Sequence, residues 1–348
     1  MGLFFSKKES FLGIDVGASS VKIVELKNEG GRAKLFNYGF SENKKSEVKN
    51  DWKVDAERTA IIINKIWEKA EMNSRNVVAA LPTFSVFSSI INLANVDKKD
   101  IAGAVHWEAK KVIPLPLDEM ILDWKIVEDN NKNSKNIKIF LTGAPRILVK
   151  KYIEIFKKAK FNLLSLETET FSLVRSLLGN DKSAIMIVEV GANTTDISIV
   201  DKSIPVFSRS IDIGGLTITK AIGNNLNIGM ERAEQFKYDL GFGSSNSQVD
   251  IIPKTISETI SPIINEIKYA MNLFQGKNEM QIEKIILSGG SALLINFSAY
   301  LSKIIDKKVI IGDPWARVSC PVDLKPSLDE IGPSMSVAVG LAIREIES

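Results

Sequence analysis

The 348-residue chain holds one cysteine and one histidine. With Cys320 alone, an intrachain disulfide and a cysteine-ligated zinc are both excluded, and a reducing compartment is the natural setting. The lone thiol reads as a small buried hydrophobe. His106 by itself cannot form a multi-histidine metal site, and any Ser-His-Asp triad would have to be built around it. No Gly-x-Ser-x-Gly elbow accompanies it. It falls in a helical stretch from Asp97 to Val112, beside Trp107 and Glu108, where packing or a partner surface explains it. No run of about 18 or more apolar residues occurs, and the N-terminus lacks a basic region, a long apolar run and a small-residue cleavage site, so neither a membrane span nor secretion is expected. Met1-Gly2-Leu3-Phe4-Phe5-Ser6 fits the loose myristoylation pattern. Leu3, Phe4 and Phe5 before Lys7 and Lys8 suit contact with a bilayer surface or a peptide-docking edge. Charge of either sign is not in excess: 45 basic against 42 acidic residues leave +3, too little to suggest a protein that coats nucleic acid.

What the chain does contain is a repeated pattern. Phe11 to Phe40 alternates as three strands, separated by Gly17-Ala18-Ser19-Ser20 and Asn28-Glu29-Gly30-Gly31, an antiparallel meander. Asp55 to Met72 carries apolar residues at Ala60, Ile63, Ile66 and Ala70, the spacing of an amphipathic helix, and Val77 to Leu81 then reads as a strand stopped by Pro82. Residues 84–165 change character: a strand, a helix from Asp97, a Pro114-Leu115-Pro116 break, two strands around the polar Asp129–Asn136 loop, and a helix near 147–160. After a strand and helix at 162–178, the meander returns from Ala184 to Ile213. Without a gap, Ile14-Asp15-Val16-Gly17-Ala18-Ser19-Ser20 aligns with Val188-Glu189-Val190-Gly191-Ala192-Asn193-Thr194, which points to duplication. Helices are expected near 216–225, 230–240 and 254–275, then a strand from Lys284 to Ser288 ending in Gly289-Gly290-Ser291. Two similar lobes facing each other across a cleft are the predicted result.

The candidate chemistry lies in the turns. Asp15-x-Gly17-x-Ser19-Ser20-x-Lys22 places a glycine, two hydroxyls and a lysine at a tight strand-to-strand turn, where backbone N–H groups and a cation suit a polyphosphate. Asp15, at the end of a buried strand, is placed to hold magnesium, through water. Hairpin turns also contain Asp, Gly and Ser for backbone reasons alone, so the second turn matters: Gly191, Asn193, Thr194 and Thr195 repeat the arrangement. Gly289, Gly290 and Ser291 form a strand-to-helix turn against which a flat base can lie. Glu234 and Lys237, at i, i+3 on one helix face, suit either a ribose and base or a solvated ion pair. A Gly-x-x-x-x-Gly-Lys loop is absent, and Gly241-x-Gly243-x-x-Asn246 lacks both a third glycine and a preceding strand.

These elements, in this order, resemble the actin-like ATPase superfamily over nearly the whole chain. More narrowly they are similar to the PilM family of type IV pilus assembly. The residues that carry this are Leu12 to Gly17 after Gly2-Leu3-Phe4, the stretch His106 to Glu119, Ile213-Gly214-Gly215 with Ala233 to Lys237, and Ser336 to Ala342. The resemblance implies an α/β fold of two duplicated ribonuclease-H-like lobes around a nucleotide cleft. A first lobe would span 1–83, an inserted α+β subdomain 84–165, and an inter-lobe connection 166–183. A second lobe would span 184–320 with a helical subdomain near 216–265, and 321–348 would be a C-terminal helix returning to the first lobe. It implies ATP with magnesium, with Asp15 to Lys22 and Gly191 to Thr195 as phosphate loops, Gly289 to Ser291 as adenosine loop, and Glu234 and Lys237 as nucleoside contacts. The implied partners are the N-terminal cytoplasmic peptide of a PilN-like membrane protein, in a groove between the first lobe and the insert, and other pilus assembly proteins; self-association is allowed.

Glu189 departs from the superfamily, which carries aspartate there, and its longer side chain would displace the metal-binding carboxylate. Glu169 matches the acidic position that orients water, although a carboxylate at a helix start also has a structural reason. Hydrolysis, at most slow, is left open. A division protein of the FtsA type and a small-molecule kinase are the alternatives. The first is disfavoured because no linker and amphipathic tail follow the final helical pattern, the second because no aspartate base stands out.

Overall fold

A computed structural model describes residues 9–42, 55–94, 96–127, 136–243, 251–277 and 281–347. The lipid-contact pattern at the N-terminus and the polar loop before Asn136 lie outside them.

Two five-stranded sheets share one topology. In the first, β1 (Ser10–Val16), β2 (Ser20–Glu29) and β3 (Arg32–Glu42) form the antiparallel meander, and β4 (Asn76–Leu81) and β8 (Asn162–Thr168) extend it in parallel, in the order β3-β2-β1-β4-β8. In the second, β9 (Ile185–Val190), β10 (Thr195–Asp201) and β11 (Ile204–Ile211) repeat the meander, with β12 (Lys284–Ser288) and β13 (Lys308–Ile311) parallel, in the order β11-β10-β9-β12-β13. The central strands are buried on both faces, so they read as apolar runs rather than as alternation.

Helices fill the same places in each copy. α1 (Ala56–Lys69) and α3 (Arg146–Ala159) cover the first sheet through Ile63, Ile66, Tyr152, Ile155 and Phe156. Asp55 caps α1, its Oδ1 accepting from the N–H groups of Glu57 and Arg58, each at 3.0 Å, a contribution of about 1 kcal/mol. In the second copy α5 (Gly215–Leu226), α6 (Met230–Leu240), α7 (Ile251–Thr259) and α8 (Ser261–Lys277) precede β12, and α9 (Phe297–Ile305) precedes β13. The single helix predicted over 254–275 is two. Pro262 has no N–H to give and sits in the opening turn of α8, where that loss is harmless, while the apolar row Ile256, Ile260, Ile263, Ile267 runs on across the break into one core.

The inserted subdomain is smaller than the sequence suggests. β5 (Phe87–Ala94), β6 (Met120–Val127) and β7 (Asn136–Pro145) make a separate sheet, β5-β7-β6, covered on one face by α2 (Ile101–Val112). α3, which falls wholly inside the expected 84–165 insert, and β8, which that boundary cuts at residue 165, belong to the first lobe: β8 completes its sheet and α3 packs on α1. The insertion therefore ends near residue 145. His106 is exposed on α2, beside a Trp107 that is 67% exposed.

α4 (Glu169–Leu177) and α10 (Lys325–Glu347) close each copy and lie between the sheets, where Leu173, Val174, Val337 and Leu341 meet Val78 of β4, Ile187 of β9 and Ile286 of β12. The final helix thus serves both lobes. Its approach is backbone to backbone, since a methyl at Gly13 would lie 1.9 Å from the Ala338 carbonyl oxygen and one at Gly340 1.9 Å from that of Ser172. Cys320 is half-buried against the cluster beneath α10, and burial together with Asp313 pushes its thiol up to about 11.

Candidate functional site

Between the lobes lies a cleft of about 740 Å³, a size that suits a nucleotide-like ligand. The two meander turns enter it from opposite sides with one geometry. Gly17 N–H donates to the Ser20 carbonyl at 2.9 Å, and Gly191 N–H to that of Thr194 at 2.9 Å. The backbone N–H groups of Ala18 and Ser19, and of Ala192 and Asn193, have no partner among the described residues. All four residues line the cleft. Unspent N–H groups on two facing turns form an anion-binding concavity.

The third turn lines the same space. Gly289 holds φ +83° and ψ 167°, a conformation open essentially to glycine alone, and a methyl there would sit 2.4 Å from the Val190 carbonyl oxygen. Its N–H donates to Pro333 of α10 at 2.9 Å. Gly290 and Ser291 line the cleft with it.

Acidic groups gather at the inner end. Asp15, buried at the close of β1, lies opposite Lys22 in the β1–β2 register, and its Oδ2 accepts from Lys22 Nζ at 3.3 Å. In the second copy the equivalent pair is Glu189 opposite Asp196. Glu169, Glu189 and Asp196 each bring a carboxylate oxygen within 4.8 Å of the others. Asp15 stands outside that trio, but its charge acts on it. Burial raises the Glu189 carboxyl well above the usual carboxylate range, Glu169, Asp196 and Asp15 raise it further, and Lys22 opposes them. Carboxylates gathered this closely are the donor set of a hard divalent cation. Glu169 is also engaged elsewhere: its Oε2 accepts from the Thr83 N–H at 2.7 Å and from Thr83 Oγ1 at 3.2 Å.

Two expected contacts have other work. Lys237 is 2% exposed, and its ammonium donates to Glu234 Oε2 at 2.9 Å, Thr219 Oγ1 at 3.1 Å and the Gly215 carbonyl at 3.2 Å. These three bonds account for its three hydrogens, and with Glu234 it builds the cleft wall. Thr195 is buried and does not line the cleft; its hydroxyl donates to the Ile213 carbonyl at 2.7 Å. It holds in place the segment whose Gly215 and Leu216 N–H groups bond back to Gly191 and Ala192, at 2.9 Å each. Every candidate but Thr195, from Asp15, Gly17, Ser19, Ser20 and Lys22 to Glu169, Glu189, Gly191, Asn193, Thr194, Glu234, Lys237, Gly289, Gly290 and Ser291, lines the one cleft. Asp196, Asp212, Gly215, Tyr238, Phe40 and Phe84 line it too and were not anticipated. Asp196 had a signal, since it follows Glu189 by the offset at which Lys22 follows Asp15.

Twin βββαβαβα lobes, with matched turns facing across a cleft and helices α4 and α10 between them, define the actin-like ATPase fold. Residues 13–346 match the family model described as type IV pilus assembly protein PilM, and the chain belongs to that family. Among solved structures, the PilM-PilN type IV pilus biogenesis complex superposes with a TM-score of 0.83 at 22% identity, covering 97% of this chain and 98% of that one. MreB 5 of Spiroplasma citri, solved with AMPPNP, gives 0.57 at 14% identity over 97% and 96%. Cell division protein FtsA of Streptococcus pneumoniae serotype 2 (strain D39 / NCTC 7466) is 22% identical over 336 residues, 85% of this chain and 72% of that protein. The division-protein alternative thus corresponds to a distant relative. No helix among the described residues is long and apolar enough to cross a membrane.

Proposed function

We propose that the chain is an ATP-binding scaffold of type IV pilus assembly whose nucleotide state sets how it holds the N-terminal cytoplasmic peptide of a PilN-like membrane protein. The observation that carries the reading is the pair of matched turns with unspent N–H groups facing across one cleft. In this reading Gly17 to Ser20 and Gly191 to Thr194 grip the phosphates from opposite lobes, with Lys22 as the cation beside them. Gly289 to Ser291 support the adenosine, and the Glu234–Lys237 pair walls it in. Glu169, Glu189 and Asp196, with Asp15 through water, would hold magnesium, which supplies charge neutralisation for the phosphates.

Hydrolysis is left open: Glu169, the group for orienting water, gives Oε2 to Thr83 and shares its carboxylate with the trio. Placement at the inner face of the cytoplasmic membrane follows from the partner. The family membership, together with a likeness to a structure that contains PilN, supports this choice of peptide. Calorimetric titration of a PilN-like peptide with and without Mg-ATP tests the proposal. Different affinities are expected. Equal affinities refute the coupling, and absence of any heat with Mg-ATP refutes the cleft assignment.

A further inference from the structure

We infer that Thr83 positions Glu169, and that the hydrogen bonds between them tie the inner end of the cleft to the inserted subdomain. The inference rests on the Mg-ATP reading of the cleft.

Thr83 opens the short 3-10 helix Thr83–Ser85, the first turn of chain between β4 and β5. Whatever holds this residue anchors the start of the inserted sheet. Its N–H and its hydroxyl both donate to one oxygen, Glu169 Oε2. Glu169 is the first residue of α4, so its main chain moves with the inter-lobe helix while its carboxylate belongs to the trio with Glu189 and Asp196. One carboxylate therefore serves two claims. A cation or a phosphate-bound metal among the trio draws on the charge that strengthens the Thr83 bonds, since a hydrogen bond to an ionised acceptor is about twice as strong as a neutral one.

A second set of contacts leaves the same residue. Thr83 Oγ1 lies 3.5 Å from Thr170 Oγ1, which lies 3.4 Å from Ser198 Oγ, itself 3.3 Å from Ser208 Oγ. This row of hydroxyls runs from the start of the insert, past α4, to β10 and β11 of the second lobe. β11 in turn touches both the 3-10 helix and β5. Thr83 is thus one point at which the inserted subdomain, the inter-lobe helix and the second lobe meet, within hydrogen-bond reach of the acidic end of the cleft. A change in how Glu169 is held alters the anchor of β5, and with it the subdomain that forms one wall of the proposed peptide groove.

The test uses Thr83→Pro in the full chain. Pro82 sits at φ −63° and ψ 136°, the extended region that a residue before proline adopts, and the first position of a helix accepts proline. The change removes the N–H and the hydroxyl with little demand on the backbone; Thr83→Val removes the hydroxyl alone. Hydrogen exchange of the β5 amides, Phe87 to Ala94, is followed with and without saturating Mg-ATP, and Mg-ATP affinity is measured calorimetrically. In the wild-type protein Mg-ATP is expected to speed β5 exchange about tenfold, matching the weaker end of a hydrogen bond to a charged group. Thr83→Pro is expected to show the fast rate with or without nucleotide while still binding it, and Thr83→Val to keep a reduced response. A wild-type-sized response in Thr83→Pro, or no response in a wild-type protein that binds Mg-ATP, overturns the inference and leaves the cleft assignment standing. Failure of the wild-type protein to bind Mg-ATP overturns both. Should the proline variant not fold, Glu169→Gln decides at Mg-ATP concentrations at which calorimetry shows it saturated: it keeps an acceptor for Thr83 without the charge, so a lost response supports the coupling and a wild-type-sized change in β5 refutes it.

Discussion

On the Mg-ATP reading proposed above, binding is expected to release a proton, and replacing Glu189 by glutamine is expected to abolish that release. Its carboxyl shares a space with Glu169 and Asp196, acceptor oxygens all within 4.8 Å of one another. At that separation two unit charges repel by about 3.5 kcal/mol for an effective dielectric constant near 20. Glu189 faces two such neighbours and, further off, Asp15, against one opposing cation in Lys22, and burial adds a desolvation cost. A proton on Glu189 relieves these terms together. A divalent cation entering the trio reverses the local field and expels that proton, so below the raised pKa binding releases up to one proton per protein. Titration calorimetry in buffers of different ionisation enthalpy reads the number directly: a release that grows as pH is lowered toward the ordinary carboxylate range is expected for wild type, and none for Glu189→Gln.

Stability carries the same signature. Because the folded-state pKa is raised, the native protein keeps a proton that the unfolded chain gives up above the ordinary value of 4.5. Stability is then fully present below that value and is lost as pH rises toward the raised one, at about 1.4 kcal/mol per pH unit for one proton. Glu189→Gln is expected to flatten this slope in thermal melts without nucleotide. Equal buffer dependence of the heats in both proteins, or equal pH slopes of Tm, would refute the electrostatic account of the cluster.

Gly289→Ala forces a side chain into a glycine-only conformation 2.4 Å from the Val190 carbonyl oxygen, and urea denaturation is expected to show a loss of about 3 kcal/mol; a loss below about 1 kcal/mol would mean the turn relaxes. Lys237→Met leaves the partly buried Glu234 carboxylate without its cation and is expected to cost about 2 kcal/mol, most of it recovered in the double variant with Glu234→Gln, because the uncompensated charge dominates the single change. For Cys320, a thiol raised to about 11 from an ordinary 9.0 carries about a hundredfold less thiolate at pH 8, so reaction with a disulfide reagent is expected to be slower by about that factor in the native protein than in urea.

The duplication and both glycine turns were legible because strand length and turn chemistry are local, and the two copies keep the same spacing from Asp15 to Ser20 and from Glu189 to Thr194. Membership of a sheet is not local. α3 and β8 carry the same helical and strand signals whether they complete the insert or the first lobe, and only the β4–β8 pairing and the burial of Tyr152 and Phe156 decide it. Lys237 shows the same limit from another side: i, i+3 spacing brings it to Glu234, but that Thr219 and the Gly215 carbonyl would take its remaining hydrogens depends on how α5 docks against α6. Thr83 carries no sequence signal, because its partner lies on a helix that begins only after the whole insert has been traversed.

Asp196 was legible and is easily passed over, since an alignment of the turns that stops at Thr194 ends two residues too soon. Extended across the next strand, it sets Lys22 against Asp196. Across the turns themselves, residues 15–22 against 189–196, the copies thus differ in charge at one cross-strand site. Asp15 faces a lysine in the first copy, and Glu189 faces a second carboxylate in the other. In identical frames that single divergence assigns opposite tasks: the first turn presents N–H groups beside a cation and suits phosphate oxygens, whereas the second presents its N–H groups above paired carboxylates and needs a metal ion before an anion can approach. A phosphate and a cation arriving together satisfy both turns at once, and either alone leaves one of them opposed. On the proposed Mg-ATP reading, the metal-bound nucleotide is therefore expected to bind more tightly than either part alone, which calorimetry of ATP with and without magnesium checks.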